Sequence, residues 1–194
     1  MKRTYSLKIE QTFAENTARL LVLRVLFDYP DKEFSLSELA KEAGVSKSNI
    51  GPFIQQLIDS DSVKVEKLSR IWRIKANMQN SQFRMGKIVN NFERIYNCNF
   101  VEVLNELYRN PKAIVLFGSY RWGTDVSNSD IDIAIESPGL AKAEVEQKQE
   151  LLPFENAFKR HINILLFDRK SADIHVFNNI ANGIVLSGFL EVNP

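Results

Sequence analysis

Along the first third of the chain, apolar residues recur with helical spacing. Leu20, Leu21, Leu23, Val25, Leu26 and Phe27 predict a buried helix over 11–29. Tyr29-Pro30-Asp31 ends it, because proline cannot continue a helix and restricts the residue before it. Ser35-Leu-Ser-Glu38 reads as a capping box opening a short helix, with Leu36, Leu39, Ala40 and Ala43 on one side and Gly44 suited to its C-terminal end. Ile50, Phe53, Ile54 and Leu57 fall at i, i+3, i+4 and i+7, one face of a third helix. Gly51-Pro52 interrupts that pattern, so this helix either kinks or starts near Pro52. The period then shortens to partial alternation at 63–67 and 71–75, which predicts a hairpin turning at Leu68-Ser69-Arg70.

A polar stretch, 76–81, marks a boundary between domains at 1–77 and 78–194. Beyond it, Phe83, Ile88, Phe92 and Ile95 predict a helix, and 100–108 a second, stopped by Asn110-Pro111. Three apolar segments, 113–117, 130–136 and 161–167, predict strands. A long helix is expected over 140–160, with Glu144, Glu146, Lys148 and Glu150 on a solvated face. Residues 171–183 read as helical and 183–187 as a short closing strand. The fold class is therefore α/β (α+β): a small helical domain with a hairpin, then a mixed sheet with flanking helices.

Composition narrows the class. With 194 residues and 44% hydrophobic positions, one large or two small packed domains are expected. No apolar run approaches 18 residues and the N-terminus does not read as a signal peptide, so no membrane association is expected. A single Cys98 precludes an internal disulfide, is expected as a small packed or half-buried residue, and makes the cytoplasm the default location. Net charge is only +1, but residues 1–77 hold 13 Lys/Arg against 10 Asp/Glu, while 78–194 hold 12 against 14. The basic excess lies in the first domain.

Candidate chemistry concentrates in residues 116–136. Gly118-Ser119 follows an apolar strand, and Ser129-Asp130-Ile131-Asp132 enters the next. Residues two apart on a strand share a face, so Asp130 and Asp132 project together. Two such carboxylates suit magnesium (Mg2+), which takes its remaining ligands from water and substrate phosphates. Gly118 allows a sharp turn whose N–H groups form an anion site, the Ser119 hydroxyl adds a donor, and the helix expected next adds its N-terminal partial charge.

Gly118, Ser119, Gly123, Ser129, Asp130 and Asp132, at this spacing, resemble the active-site signature of the nucleotidyltransferase superfamily, the DNA polymerase beta-like and minimal nucleotidyltransferases. The resemblance implies a nucleoside triphosphate and Mg2+ held by catalytic, metal-binding Asp130 and Asp132. It implies nucleotide contacts from Gly118, Ser119, Arg121 and Ser129, and nucleotidyl transfer to an acceptor hydroxyl on a protein or RNA. Two departures stand out. Relatives carry a third carboxylate on a neighbouring strand, where this chain has Asn163, whose amide cannot act as a base near neutral pH. Asp168 and Glu136 lie too far along their strands to replace it, while His161 is nearer, as a base or a structural residue. Relatives also have a basic residue directly before the glycine at position 123. Here Trp122 stands there and Arg121 one earlier. Arg121 reaches phosphate or stays solvated. Trp122 stacks on a base or, the favoured expectation, packs. These departures predict that nucleotide and metal binding survive while transfer is slow or absent.

The order helix, helix, turn, helix, hairpin, with Leu39 to Ser46 reading Leu-x-x-x-Ala-Gly-Val-Ser, resembles a winged helix-turn-helix. The resemblance implies duplex DNA as a partner, met by Lys47, Ser48, Asn49 and Gln55 on the recognition helix, with Ser46 and Gln56 beside them, and by Lys67 and Arg70 near the wing. A homodimer is compatible with such binding. A protein-interaction role for the same module remains an alternative. Two further functions stay open: a transcriptional regulator whose second domain is a degenerate nucleotide sensor, and a nucleotidyltransferase-type antitoxin.

Overall fold

The computed structural model describes residues 17–68 and 71–192. The chain divides into two compact units, Met1–Phe83 and Arg84–Pro194.

In the first unit, residues 17–28 are helical (α1), and the part of the expected helix before residue 17 lies outside the described residues. Helix α2, Leu36–Glu42, starts as its sequence dictates: the Ser35 hydroxyl accepts from the Glu38 N–H, and the Glu38 carboxylate accepts from the Ser35 N–H. Gly44 follows with φ +65°, the left-handed conformation that ends a helix at least cost in glycine. Helix α3 runs Lys47–Asp59 with Pro52 inside it, so it does not start at Pro52. Ile50, Phe53, Ile54 and Leu57 are its buried face, as their spacing requires. Strands β1, Val63–Leu68, and β2, Ile71–Ala76, pair antiparallel, and Phe34 bridges to Ile74 on the far side of β2. Val22, Leu26, Phe34, Leu39, Ile54, Leu57 and Ile74 share one core.

In the second unit, α4 (Ser81–Asn97, shared at its first turn with the first unit) and α5 (Phe100–Leu107) precede β3, Ala113–Phe117. A five-residue helix α6, Gly118–Trp122, leads through a loop to β4, Ile131–Glu136. Next come β5 (Glu144–Glu146), a 3₁₀ turn (Gln149–Leu151), α7 (Leu152–Phe158), β6 (Ile162–Phe167), α8 (Ile174–Ala181) and β7 (Ile184–Gly188). The sheet order is β5-β6-β4-β3-β7; β4 and β6 run parallel, and the other neighbours antiparallel.

The long helix expected over 140–160 does not form. Glu144-Val145-Glu146 instead adds an edge strand to β6, with Glu146 opposite Ile164. Pro153 sits in the first turn of α7, where its missing N–H costs nothing; in the interior of a longer helix it would break the hydrogen-bond ladder. Nor is Glu146 on a solvated face: its carboxylate accepts from the Tyr108 hydroxyl at 2.9 Å and pairs with Lys148 at 2.5 Å.

Alternation assigns the two sheet faces. Ile114, Leu116, Ile131, Ile133, Ile162 and Ile164 pack with Phe100, Leu104 and Phe158 on one side. Ala113, Val115, Ala134 and Phe167 pack with Ile180 of α8 on the other. Cys98 is half-buried, its thiol directed to the Arg94 carbonyl at 3.1 Å. Among the described residues no helix is long and apolar enough to cross a membrane.

Candidate active site

The polar residues of β4 and β6 emerge on the α8 face of the sheet. Asp132 shares the parity of Ala134, and Asn163 that of Leu165 and Phe167. Phe117, Asp132 and Asn163 are register neighbours across three adjacent strands. They therefore form one row at the end of β3, where the chain turns into α6. Asp130 lies one residue before β4 rather than inside it, yet it joins the row: Asn163 Nδ2 donates to Asp130 Oδ2 at 3.0 Å and to Asp132 Oδ1 at 3.4 Å.

Gly118 is required at the turn for two reasons. Its φ is +70°, and a Cβ there would stand 2.3 Å from Asp132 Oδ2. The backbone of the turn and the carboxylate thus approach more closely than any side chain would permit. Ser119 is half-buried and follows directly. Helix α6 has only five residues, so the terminal partial charge expected of a full helix is small here.

The loop from α6 to β4 is pinned at several points. Gly123 has φ +65°, and a Cβ on it would meet Ile88 Cγ1 at 2.8 Å and the Arg84 carbonyl at 2.9 Å. Asp125 is 1% exposed. Its Oδ2 accepts from Lys87 Nζ at 2.8 Å and lies 3.9 Å from Arg160 Nη2, and its Oδ1 accepts from Asn91 Nδ2 at 3.2 Å. Asn91 also donates to the Tyr120 carbonyl at 2.9 Å, tying α6 to α4. Finally, the Ser129 hydroxyl accepts from the Val126 N–H at 2.9 Å while the Ser129 N–H returns to the Val126 carbonyl at 3.0 Å. Ser129 therefore closes the turn that delivers Asp130. The sequence reading missed Lys87, Asn91, Asp125 and Arg160. A signal was present, since Lys87 and Asn91 stand eight and four residues before the buried Ile95, on the buried stripe of α4.

Electrostatically the row is under-compensated. Burial holds the Asp132 carboxyl above its ordinary range; the Asn163 amide opposes that shift and the Asp130 charge reinforces it. The other acids have different partners. Asp168 accepts from the Gly139 and Lys170 N–H groups at 2.7 and 2.9 Å, which hold it below its ordinary range. Glu136 is 3% exposed, with Arg169 Nε 3.6 Å from its Oε1. His161 is exposed, its Nδ1 3.6 Å from Glu155 Oε1. Among the described residues no group of three His, Cys, Asp or Glu forms a metal cluster. Two converging carboxylates still fit a single hard divalent cation that draws its other ligands from phosphate and water.

Two cavities flank the row. One, of about 620 Å³, is lined by Ser127, Ser129, Asp130, Glu155, Arg160 and His161 among others. The second, of about 410 Å³, is lined by Phe117, Gly118, Trp122, Asn179 and Asn182. Trp122 does not pack: it is 52% exposed, with the Arg121 guanidinium 3.4 Å from its ring centroid. The C-terminal turn of α6 leaves the indole outside the core, because Tyr120 takes the buried position of that short helix.

In the first unit, Lys47, Ser48, Asn49 and Gln55 are all exposed on α3. Ser46 Oγ lies 3.1 Å from Ser48 Oγ, Ser48 Oγ donates to Asn49 Oδ1 at 3.3 Å, and Gln55 Nε2 donates to Asp59 Oδ1 at 2.8 Å. A cavity of about 340 Å³ opens among Ser48, Asn49, Pro52, Phe53 and Gln56. Lys67 is exposed on β1, its ammonium 4.3 Å from the Trp72 ring centroid. Arg70 lies outside the described residues.

Residues 98–184 match the family model of the nucleotidyltransferase domain. That segment contains β3, α6, β4 and β6, hence Gly118, Ser119, Asp130, Asp132 and Asn163. No curated protein matches the chain. Among solved structures, the transcriptional regulator PA4135 aligns at 18% identity over 56% of this chain and 97% of that one, with a TM-score of 0.33.

Proposed function

We propose that the second unit binds a nucleoside triphosphate with Mg2+, and that it transfers the nucleotidyl group slowly or not at all. The observation that carries this reading is Asn163, which donates one amide to both carboxylates where a third acid would be needed. Gly118 and Ser119 hold the phosphates, with Arg121 and the remaining Ser129 hydroxyl hydrogen as further donors. Asp130 and Asp132 hold the cation. Bound Mg2+ supplies charge neutralisation on the triphosphate, the main requirement of phosphoryl chemistry. Asn163 orients the carboxylates but has no basic atom to take the acceptor's proton. The test is direct: titrate nucleoside triphosphates with and without Mg2+, then follow labelled nucleotide onto protein and RNA acceptors. Fast transfer that depends on Asp132 overturns the slow-enzyme reading.

The first unit is proposed as a winged helix-turn-helix that binds duplex DNA, with the domain boundary near residue 77. Supporting this are the exposed polar row of α3 and the hairpin carrying Lys67. Gln55 tied to Asp59 is less available for base edges than its position suggests. A second reading, a nucleotide-sensing regulator, is favoured by the same amide bridge, which keeps the carboxylates converged for binding without a base for chemistry. Measuring DNA affinity against salt, with and without nucleotide, separates the two, since phosphate contacts give a steep salt dependence. A nucleotide-dependent shift supports the sensor. Absent DNA binding together with transfer to a protein or RNA supports an enzyme or antitoxin.

A further inference from the structure

We propose that the cavity between Phe117, Gly118, Trp122, Asn179 and Asn182 takes the nucleobase of the bound nucleotide, a purine, stacked on Trp122 with its edge towards the two amides. The proposal rests on the nucleotide-binding reading above and assigns the part of the ligand that the phosphate turn does not hold. The cavity, of about 410 Å³, shares Gly118 with that turn, so a ligand seated on the turn enters it without crossing the sheet. Its floor is Phe117, the register neighbour of Asp132. It lies on the α8 face, where the carboxylates also emerge.

Its lining has the chemistry of a base site. One indole face of Trp122 is taken by the Arg121 guanidinium, 3.4 Å from the ring centroid, while the ring as a whole is 52% exposed. A large aromatic left this open beside a cavity is a stacking platform. Asn179, in the last turn of α8, and Asn182, its C-terminal cap, stand three apart, and both are exposed. Asn182 spends an amide hydrogen on the Asn178 carbonyl at 2.8 Å, which fixes its side chain and keeps its oxygen as an acceptor. A carboxamide presents donor and acceptor together, the complement of a purine edge such as N6/N7 of adenine. The larger cavity beside Asp130 is lined mainly by charged and polar groups, and its one ring is the imidazole of His161, a smaller stacking surface than an indole.

The experiment uses the full chain and Mg2+, and compares ATP, GTP, CTP, UTP and inorganic tripolyphosphate by calorimetry. The proteins are wild type, Trp122→Ala and the double variant Asn179→Ala/Asn182→Ala, with circular dichroism as the fold control. Purine nucleotides are expected to bind more tightly than pyrimidine nucleotides. Trp122→Ala should weaken purine binding about tenfold, the scale of one lost base stack, and leave tripolyphosphate within about twofold. In a Trp72→Phe background, ATP but not tripolyphosphate should quench the remaining tryptophan emission. Nucleotides that bind wild type no better than tripolyphosphate, or variants that weaken both ligands alike, overturn the base site while leaving the phosphate site standing. Wild type that binds neither ligand overturns the nucleotide reading itself, and the base site with it.

Discussion

The second unit holds two polar centres a few residues apart, and they are built on opposite principles. Around Asp125, a carboxylate meets an ammonium at 2.8 Å, an amide at 3.2 Å and a guanidinium at 3.9 Å, with Lys87 and Asp125 each 1% exposed. Around Asp130 and Asp132, two carboxylates share a single amide, and no cation approaches either among the described contacts. The first centre is internally paired, so it anchors the loop. The second leaves the charge of two carboxylates with no cation beside it at the mouth of the sheet, the feature on which the proposed binding role rests.

Substitutions that reverse each centre test the contrast. The largest effect is expected from Asp125→Ala. Removing the acid of a buried pair takes away the carboxylate that Lys87 meets at 2.8 Å, which should cost about 3–5 kcal/mol in urea unfolding. A loss below about 1 kcal/mol, the range of exposed pairs, would show that the centre is not an anchor.

Asn163→Asp should act in two directions. Without metal the third negative charge lowers the melting temperature. With Mg2+ and nucleotide, transfer should rise at least about tenfold, since a positioned general base contributes 10²–10⁴-fold. Unchanged transfer would show that more than the base is missing.

Asp132→Asn should abolish Mg2+-dependent nucleotide binding while raising thermal stability near neutral pH. The sign follows from burial, which holds the Asp132 carboxyl above its ordinary range in the folded protein. Its contribution to folding is fully present below the ordinary carboxylate value and is lost as pH rises through the elevated one. The variant's melting profile should therefore fall less across that window, and parallel profiles would remove the burial account. The smallest effect is expected from Asp168→Asn. Two backbone N–H groups hold that carboxyl low, so its support for the 139–168 loop junction is present above the ordinary value and fades as pH falls through the depressed one. The wild type should lose slightly more stability than the variant on acidification below pH about 4.

Legibility varied with the range of the interaction. The Ser35–Glu38 cap and the buried stripe of α3 follow from periods of a few residues and could be read along the chain, whereas Asn163 was placed beside the carboxylates by the family resemblance. The helix drawn over 140–160 could not: Glu144-Val145-Glu146 has no strong strand signal, and only the open edge of β6 makes it a strand. The Asp125–Lys87 pair joins residues 38 apart, so no local pattern connects an acid in a loop with a lysine on a helix. Trp122 was expected to pack because a tryptophan usually buries its large area. That a five-residue helix buries Tyr120 instead is a matter of three-dimensional fit.

The sequence alone determined which residues bring chemistry to the site. Glycine at 118 and carboxylates two apart are facts of composition and strand parity, which is local, and the resemblance to the nucleotidyltransferase signature adds the amide at 163. Tertiary structure decided how that chemistry is held. It paired Asp125 inside the unit, let one amide bridge Asp130 and Asp132, and left Trp122 open beside Asn179 and Asn182. These arrangements depend on which distant segments the packed core brings together, and hydrophobic burial, being non-directional, does not write that on any short stretch of chain.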